Sequence, residues 1–488
     1  MFALLHLLLL LLSLSSHSIA DEIFDVRQHL ATVTRYDVVK DIVDSSYVPA
    51  QIPDGCEPIH LNLVSRHGTR APTKKRMTEL DRLASSLQAH IAEAKEHESL
   101  LEKAPAWLLG WTSPWKGKVN GGELVAPGED ELYDLGIRLR ERFSRLLGDE
   151  YHPDVYAIKA TQVPRASASS VAFAMGLFGG RGNLGPGKQR AFAVSTESRA
   201  SDILLRFYDT CQSYKNYRKS EQPAVEKLKE PVFDEITLAL SKRYELNFTR
   251  QDISSLWFLC KQEASLLDIT NQACGLFDDS EVALLEWTDD LELFILKGYG
   301  KSLNYLMGLP LLKDVVESME SAIKANEEAH PSGSYEKARL RFAHAETIVP
   351  FSCLLGLFLE ESEYSRIQRE EPLDYPPKPP KRRNWRGSII APFAGNNMLV
   401  LYNCPANKSN KYYVHVLHNE HPVPLPGCNN SDFCPFEVFK EKILQPHLKE
   451  DYDAICTVKK QHAQKPAASK LSSAPSGSDS MELQKHEL

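Results

Sequence analysis

The motif at residues 65–73, Ser-Arg-His-Gly-Thr-Arg-Ala-Pro-Thr, constrains the fold of this chain more than any other stretch. Just before it, residues 59–64 form an apolar, partly alternating run with β-branched members, which predicts a short buried strand. Just after it, apolar side chains repeat at helical spacing, at Leu80, Leu83, Leu87 and Ile91. The motif therefore lies on a loop between a strand and a helix, where α/β proteins usually place ligand sites.

The residue types in this motif suit a phosphate held next to a nucleophile. Two guanidinium groups, Arg66 and Arg70, flank the imidazole of His67 and offer rigid forks of donors that match phosphate oxygens. A neutral imidazole could attack phosphorus directly and form a phosphohistidine. The adjacent positive charges favour the neutral form because they lower the pKa of the ring. We expect Gly68 to let a ligand approach the backbone closely.

Two later stretches also deliver polar groups directly after predicted strands. Residues 155–159 predict a strand that leads to Arg165, and residues 338–342 predict one that leads to His344 and Glu346. The carboxyl ends of such strands can converge at one edge of an open α/β sheet. We expect His344 to donate to the transferring phosphoryl group and Glu346 to protonate the departing alkoxide, then to act as base. Taken singly, each residue has an ordinary structural explanation, but the ordered set predicts a site.

The remaining pattern predicts a discontinuous α/β domain, built from residues 21–77 and 288–460, with a mainly helical insertion at residues 78–287. Helices are predicted at residues 77–94, 129–147, 167–178, 201–208 and 347–358. Further strands are predicted at residues 191–194, 388–390 and 398–402, and a hairpin at 412–425 with its turn near Asn419. The Pro-rich stretch 372–380 and the basic residues 381–383 that follow it predict an exposed loop of open role.

Composition excludes some classes of protein. The 488 residues, 42% hydrophobic and 25% charged, are ordinary for a soluble globular protein with one large core and room for a second domain. The net charge of −8 argues against nucleic acid as a partner. After the N-terminal run no stretch reaches the length of a transmembrane helix.

Both ends of the chain predict the secretory pathway. The leucine-rich residues 4–14, followed by small residues, predict a signal peptide at 1–20 cleaved near Ala20. A Ser-, Ala-, Lys- and Pro-rich tail at 461–488 predicts disorder, and its end resembles a receptor-read retrieval signal, Lys485, His486, Glu487 and Leu488. We expect the protein to reside in the lumen of the endoplasmic reticulum, with secretion or vacuolar delivery as alternatives. The ordinary explanation of the last four residues is that they resemble a retrieval signal by coincidence. Sequons mark glycosylation candidates at Asn247, Asn407 and Asn429.

Nine cysteines in such a compartment predict disulfides and one leftover thiol. Cys260 with Cys274, and Cys428 with Cys434, could close local loops. Spacing alone does not assign the long-range pairs.

At this point the chain resembles a known family, the histidine acid phosphatases, the branch of the phosphoglycerate-mutase-like fold that includes phytases. Arg66-His67-Gly68-x-Arg70-x-Pro72 is similar to the signature motif, and Arg165, in the context Thr161-x3-Arg165-x-Ser167-x2-Ser170, is similar to the third arginine. Commoner members have His-Asp where this chain has His344-Ala345-Glu346. That variant resembles the multiple inositol polyphosphate phosphatases, in which glutamate is the proton donor. The resemblance covers residues 56–456.

The resemblance implies a three-layer α/β/α domain with a central, mostly parallel sheet and an inserted helical domain, without metal ion or cofactor. It implies that Thr73 and Lys74 contact the substrate's phosphates. Lys74, Lys75 and Arg76 form either a solvated loop or a cationic rim that captures substrate. It also implies a disulfide pattern: Cys56–Cys404, Cys211–Cys456, Cys260–Cys274 and Cys428–Cys434, with Cys353 free.

The implied activity is stepwise removal of phosphates from inositol hexakisphosphate through a phosphohistidine, with an acidic optimum because Glu346 must be protonated while His67 is not. One alternative is a broad-specificity histidine acid phosphatase acting on small or protein phosphomonoesters. The other is a luminal glycoprotein that binds anions without catalysis.

Overall fold

The computed structural model describes residues 24–43, 46–95, 101–373, 375–376, 378–380, 383–407 and 409–458. The predicted signal peptide, the tail with its retrieval-like end, and Lys381 and Arg382 of the Pro-rich loop lie outside the described residues.

Seven strands of the described chain form one mixed sheet in the order β2-β3-β1-β4-β5-β6, with β7 paired to β5. Strands β2, β3 and β1 are mutually parallel, and the remaining pairings are antiparallel. The α/β class is confirmed, and the parallel half of the sheet is the half that bears the predicted site strands. The strands are β1 (Glu57–Arg66), β2 (Tyr156–Ala160), β3 (Ala338–Ala343), β4 (Asn396–Asn403), β5 (Tyr412–His418), β6 (His421–Pro422) and β7 (Phe433–Pro435).

Helices cover both faces of this sheet and form a separate helical layer. They are α1 (Tyr36–Val39), α2 (Lys74–Lys95), α3 (Ala126–Arg142), α4 (Pro164–Phe178), α5 (Phe207–Thr210), α6 (Gln212–Tyr244), α7 (Arg250–Gln262), α8 (Asp279–Lys297), α9 (Leu303–Leu306), α10 (Leu309–Glu327), α11 (Ala345–Leu354), α12 (Glu361–Gln368), α13 (Gly387–Ile390), α14 (Phe436–Phe439) and α15 (Tyr452–Cys456). No helix among the described residues is long and apolar enough to cross a membrane.

Alternating side chains of the strands supply two cores, one on each face of the sheet. Along β4, Met398 and Val400 belong to the core that packs against α3 and α4, whereas Leu399 and Leu401 belong to the core that packs against α10 and α11. This two-residue period is the ordinary consequence of pleating. The implied three-layer α/β/α arrangement is therefore confirmed.

A third core is helical and contains apolar residues of α2, α6, α7 and α8, among them Leu80, Ile236, Trp257 and Leu285. The division of the chain into a sheet domain and an insertion at 78–287 stays a prediction. The structure shows, however, that β2 lies within 78–287 and pairs with β3, and that α3 and α4 pack on the sheet.

Several predicted elements are wrong, for physical reasons. Residues 388–390 were predicted as a strand but lie in the helical turn α13, because the Asp290 carboxylate accepts from the Gly387 amide and starts the turn. Residues 191–194 form no strand, and only Ser195 bridges Lys159 of β2. Of the helix predicted at residues 201–208, residues 201–206 form turns and irregular chain, and only Phe207 and Tyr208 lie in α5.

Other boundaries also differ from the sequence pattern. Helix α3 ends at Arg142, five residues before the predicted end at 147, because Phe143 leaves the helical region at φ −116° and ψ 42°. Helix α6 was not predicted, since it is polar and holds Pro223 and Pro231 inside. The hairpin at Asn419 is confirmed.

The implied disulfides are confirmed: Cys56–Cys404, Cys211–Cys456, Cys260–Cys274 and Cys428–Cys434, with Cys353 buried and free. These disulfides fit a secreted or lumenal protein.

Of the sequon residues, Asn247 and Asn429 are exposed, while Asn407 is half-buried and donates to the Tyr413 hydroxyl. Arg383, predicted in an exposed loop, instead pairs with buried Glu286 and Asp290.

Candidate active site

Three adjacent strand ends bring the predicted site residues together. In the parallel half of the sheet, Arg66 of β1 lies opposite Ala343 of β3, and Ala160 of β2 lies opposite Phe342. The residues that follow these ends therefore meet at one carboxyl edge. The imidazole rings of His67 and His344 are edge to face there, with centroids 5.3 Å apart.

The protonation state of His67 can be read from its contacts. Nδ1 lies 2.8 Å from the carbonyl oxygen of Gly68, and because a carbonyl only accepts, Nδ1 carries the proton. Burial lowers the pKa of His67 well below its ordinary value, and the charges of Arg165 and Arg66 lower it further. The ring is therefore neutral with a lone pair on Nε2, which is the form a nucleophile needs.

The side chain of Arg66 is held in part by the segment N-terminal to β1, for which the sequence predicted no role. Its Nη1 donates to the carbonyl oxygens of Thr32 and, at 2.8 Å, of Ala391, while Nε is buried without a partner among the described residues. Burial and the nearby charge of Arg70 lower the pKa of Arg66 to about 9. The guanidinium of Arg66 is still cationic at neutral pH, and its charge lowers the pKa of His67.

Arg165 lies in the first turn of α4, and its side chain extends to His344 at the end of β3. Its Nη2 lies 3.5 Å from Nδ1 of His344, and its Nη1 donates to the carbonyl oxygen of Gly122 at 3.4 Å. A Cβ placed on Gly122 would lie 3.6 Å from Nη1 of Arg165 and 3.8 Å from Cγ2 of Thr73. Thr73 and Arg165 therefore both lie beside Gly122, and the phosphate contact of Thr73 stays a prediction.

The basic residues after the motif divide into two kinds. Lys74 and Lys75 are exposed at the start of α2. Arg76 instead packs over the ring of Phe258 at 3.7 Å and donates to Glu79 at 2.6 Å. Arg76 therefore belongs to helix packing, and only the two lysines remain candidates for a cationic rim.

Gly68 has a packing role that the sequence did not suggest. A Cβ at Gly68 would lie 2.1 Å from the carbonyl oxygen of Gly128 in α3, so the glycine is required for close packing of two backbones. Its role in ligand approach stays a prediction. The adjacent Thr69 donates to Glu131 of α3 twice, from its amide at 2.7 Å and from its hydroxyl at 2.8 Å. Through these contacts helix α3 holds the motif loop in place.

Glu346 lies in the first turn of α11 and faces a lysine that the sequence did not suggest. Its Oε1 is 2.9 Å from Nζ of Lys297, the last residue of α8. Burial, the largest single effect, would raise the pKa of Glu346, but the opposing effects, chiefly the charge and hydrogen bond of Lys297, together lower it well below the ordinary value. The carboxyl group is therefore ionised in the free protein.

Among the described residues no group of three or more His, Cys, Asp or Glu side chains is arranged to hold a metal ion.

Comparison with known proteins decides the family. The model for the histidine phosphatase superfamily (branch 2) matches residues 59–419. The chain belongs to this superfamily. Multiple inositol polyphosphate phosphatase 1 of Homo sapiens is 27% identical over 423 residues, which cover 81% of this chain and 82% of that protein. The Dictyostelium discoideum protein of the same name is 26% identical over 462 residues, covering 83% and 69%.

Solved structures share the fold of this histidine phosphatase. The phytase from D. castellii aligns with a TM-score of 0.64 and 18% identity, over 90% of this chain and 91% of that one. The multiple inositol polyphosphate phosphatase of Bifidobacterium longum, in complex with inositol hexasulfate, aligns with a TM-score of 0.59 and 17% identity, over 86% and 98%.

Three residues of the histidine phosphatase site were missed from the sequence. Arg206 donates from Nη1 to His344 Nε2 at 3.2 Å, Lys297 pairs with Glu346, and Glu131 holds Thr69. Arg206 follows a turn and Lys297 ends a helix, so neither sits on a strand end. The signal that could have suggested Glu131 is an acid on the buried face of α3, beside Leu132 and Leu135.

Proposed function

We propose that this histidine phosphatase is a multiple inositol polyphosphate phosphatase of the phytase type. It hydrolyses the phosphomonoesters of inositol hexakisphosphate stepwise through a phosphohistidine on His67, releasing lower inositol phosphates and phosphate. The observation that carries the proposal is the neutral ring of His67, with its lone pair on Nε2, among three arginines. The names of the relatives support the substrate class.

Binding comes first. Arg66, Arg70 and Arg165 surround the phosphoryl group and neutralise its two charges through directed N–H donors. Thr73 contributes its hydroxyl, which is buried without a hydrogen-bond partner among the described residues. Exposed Lys74 contacts a neighbouring phosphate of the substrate.

Phosphoryl transfer to His67 follows. The Nε2 lone pair forms the N–P bond while the P–O bond to the inositol breaks, and Glu346 gives a proton to the departing oxygen. His344 donates from its ring to a phosphoryl oxygen and spreads the developing charge. In the second half, Glu346 takes a proton from water, the hydroxide attacks phosphorus, and the N–P bond breaks.

A rapid-quench experiment tests this mechanism. Wild-type protein mixed with ³²P-labelled inositol hexakisphosphate should give an acid-labile, base-stable labelled protein within the first turnover, as phosphohistidine does. The His67→Ala variant should give no label and no phosphate release. His152→Ala, at an exposed position, is the control and should behave as wild type. Label on His67→Ala, or turnover without label in wild type, contradicts the proposal.

Side-by-side kinetics separate the substrate classes. A higher kcat/KM on inositol hexakisphosphate than on p-nitrophenyl phosphate supports inositol polyphosphates as the substrate class. A strong preference for the small ester favours a broad-specificity histidine acid phosphatase. Absence of release from either compound leaves the anion-binding glycoprotein.

We also place the protein in the endoplasmic reticulum lumen, retrieved by a receptor that reads Lys485, His486, Glu487 and Leu488. Deleting these four residues should move the protein into the medium of expressing cells. Equal secretion of the full chain and the shortened chain would contradict retrieval and leave secretion.

A further inference from the structure

The ion pair between Lys297 and Glu346 joins two distant elements inside the site. Nζ of Lys297 lies 2.9 Å from Oε1 of Glu346, and the two side chains are only 11% and 15% exposed. A pair this close and this shielded from water holds both partners in their charged forms. The free protein therefore keeps its candidate proton donor without the proton.

This state conflicts with the task assigned to Glu346. An ionised carboxylate can act as a base toward water, but it has no proton to give to a departing alkoxide. The Lys297 side chain is the main charge that holds Glu346 ionised, against the opposite effect of burial. Something must therefore change around the carboxylate when substrate binds.

We propose that Lys297 is a positioning residue that keeps Glu346 ionised until a polyanionic substrate arrives, so that binding is coupled to the uptake of a proton. The inference rests on the proposed function. Phosphate groups bring negative charge beside the carboxylate and beside Lys297, which weakens the hold of the lysine and favours the protonated carboxyl. No movement of Lys297 is required for this effect.

The proton balance closes over a turnover. Glu346 takes one proton from solvent as substrate binds and gives it to the inositol oxygen when the P–O bond breaks. It then takes a proton from the attacking water. When inorganic phosphate leaves, the ion pair with Lys297 is restored and that proton returns to solvent.

Charged and titratable groups approach Glu346 from several elements. Lys297 comes from α8, His344 from the N-cap of α11, Arg66 from β1, and Tyr208 and Tyr214 from α5 and the start of α6. Burial raises the pKa of both tyrosines, so these two stay neutral over the acidic range. Arg66, with its pKa of about 9, stays cationic over this range. Glu346, His67 and His344 are then the groups able to take up protons.

Calorimetry with inositol hexasulfate measures the coupling directly, because sulfate esters stay ionised and cannot take up protons themselves. Binding enthalpies at pH 5 in buffers of different ionisation enthalpy give the number of protons taken up. Wild type should take up more protons than Glu346→Gln, and Lys297→Met should lose most of that difference, since its carboxyl is already protonated. Lys301→Met is the control, because Lys301 lies 4.6 Å above the ring of Tyr217 and not at the ion pair. Equal uptake by wild type and Glu346→Gln overturns the inference.

The pH dependence of kcat/KM gives a second readout. In Lys297→Met the basic limb should move up by about one pH unit or more, because an opposite charge at this range lowers a carboxyl pKa by about 1–3. Lys297→Arg should restore the wild-type limb. Phosphate release with an unmoved limb in Lys297→Met overturns this inference alone, whereas no release by wild type overturns the proposed function.

Discussion

The guanidinium of Arg206 lies 3.2 Å, through Nη1, from Nε2 of His344, and both side chains are buried. Both ring nitrogens face a guanidinium, which only donates, since Arg165 Nη2 lies 3.5 Å from Nδ1. The Arg206 contact is the shorter of the two, so we assign the accepting lone pair to Nε2 and the ring proton to Nδ1. The hydroxyl of Thr161, 2.9 Å from the same nitrogen, can donate as well. Arg206 is itself held by Asp209, which accepts from its Nε at 2.8 Å. The contact selects the form of His344 that can donate from Nδ1 to a phosphoryl oxygen.

Replacing Arg206 with methionine should therefore lower kcat more than it changes KM. A hydrogen bond from a charged donor contributes about 1.5–3 kcal/mol, so we expect kcat to fall about 10- to 100-fold. Steady-state kinetics on inositol hexakisphosphate measure the effect, and ¹⁵N chemical shifts of the His344 ring should report loss of the Nδ1–H tautomer. Arg218→Met, which removes a guanidinium 5.9 Å from the ring of Tyr214, is the control. An unchanged kcat and tautomer would show that Arg206 has a structural role only.

The strand-end residues could be predicted from the sequence because each follows a short apolar run, and parallel strands share a carboxyl edge. Arg206 and Lys297 could not, since they meet His344 and Glu346 across 138 and 49 residues of chain and carry no local pattern. Helix α6 could not be predicted either, because two prolines inside a polar stretch predict breaks rather than a helix. The strand predicted at residues 388–390 was wrong because a tertiary contact with Asp290 decides the conformation of this segment.

The contact between Gly68 and Gly128 predicts a sharp effect of one methyl group. In Gly68→Ala the new Cβ would lie 2.1 Å from a backbone oxygen that cannot rotate away, so the loop bearing His67 must shift. A displacement of about 1 Å at the nucleophile can cost about 100-fold in rate. The measurement is kcat on inositol hexakisphosphate, with circular dichroism to verify folding. Gly275→Ala, whose Cβ would lie 3.8 Å from the nearest atom, should keep wild-type activity.

Glu131 should stabilise the motif loop through the hydrogen bonds that it accepts from Thr69. Glu131→Ala leaves a buried amide and a buried hydroxyl without a partner, and each such group costs about 1–3 kcal/mol. We expect the free energy of unfolding in urea to fall by at least about 2 kcal/mol. Glu129→Ala, an exposed acid on the same helix, should change it little. Equal stability of the two variants would contradict the role of Glu131.

The pH dependence of stability gives a separate prediction for Glu131. Burial raises the pKa of this carboxyl from 4.5 to about 7, although the Thr69 hydrogen bonds oppose the shift. The folded state therefore binds more protons than the unfolded state between these values, and the contribution of Glu131 to the free energy of unfolding falls as the pH rises through this window. Glu131→Gln removes the titration, so its stability should decline less steeply from pH 4.5 to 7 than that of wild type. Parallel curves for the two proteins would show that the carboxyl does not titrate there.

The disulfide Cys211–Cys456 joins the residue directly after α5, the helix that carries Asp209, to the last residue of α15, across a separation of 245 residues. Because the entropy that a cross-link removes from the unfolded chain grows with loop length, this bond should contribute about 5 kcal/mol. The matched control is Cys428–Cys434, whose separation of 6 residues corresponds to about 2 kcal/mol. Serine pairs at each disulfide, unfolded in urea without reductant, measure the difference.

Activity should respond earlier than the fold in the first of these variants. Asp209 positions Arg206, and Arg206 positions His344, so a loosened α5 disturbs the site while the sheet is intact. In the Cys211→Ser/Cys456→Ser protein, activity should therefore be lost at a lower urea concentration than tryptophan fluorescence reports for unfolding. In the Cys428→Ser/Cys434→Ser protein the two transitions should coincide. If they also coincide in the first variant, α5 does not depend on the disulfide for its position, and the site is held by the sheet edge alone.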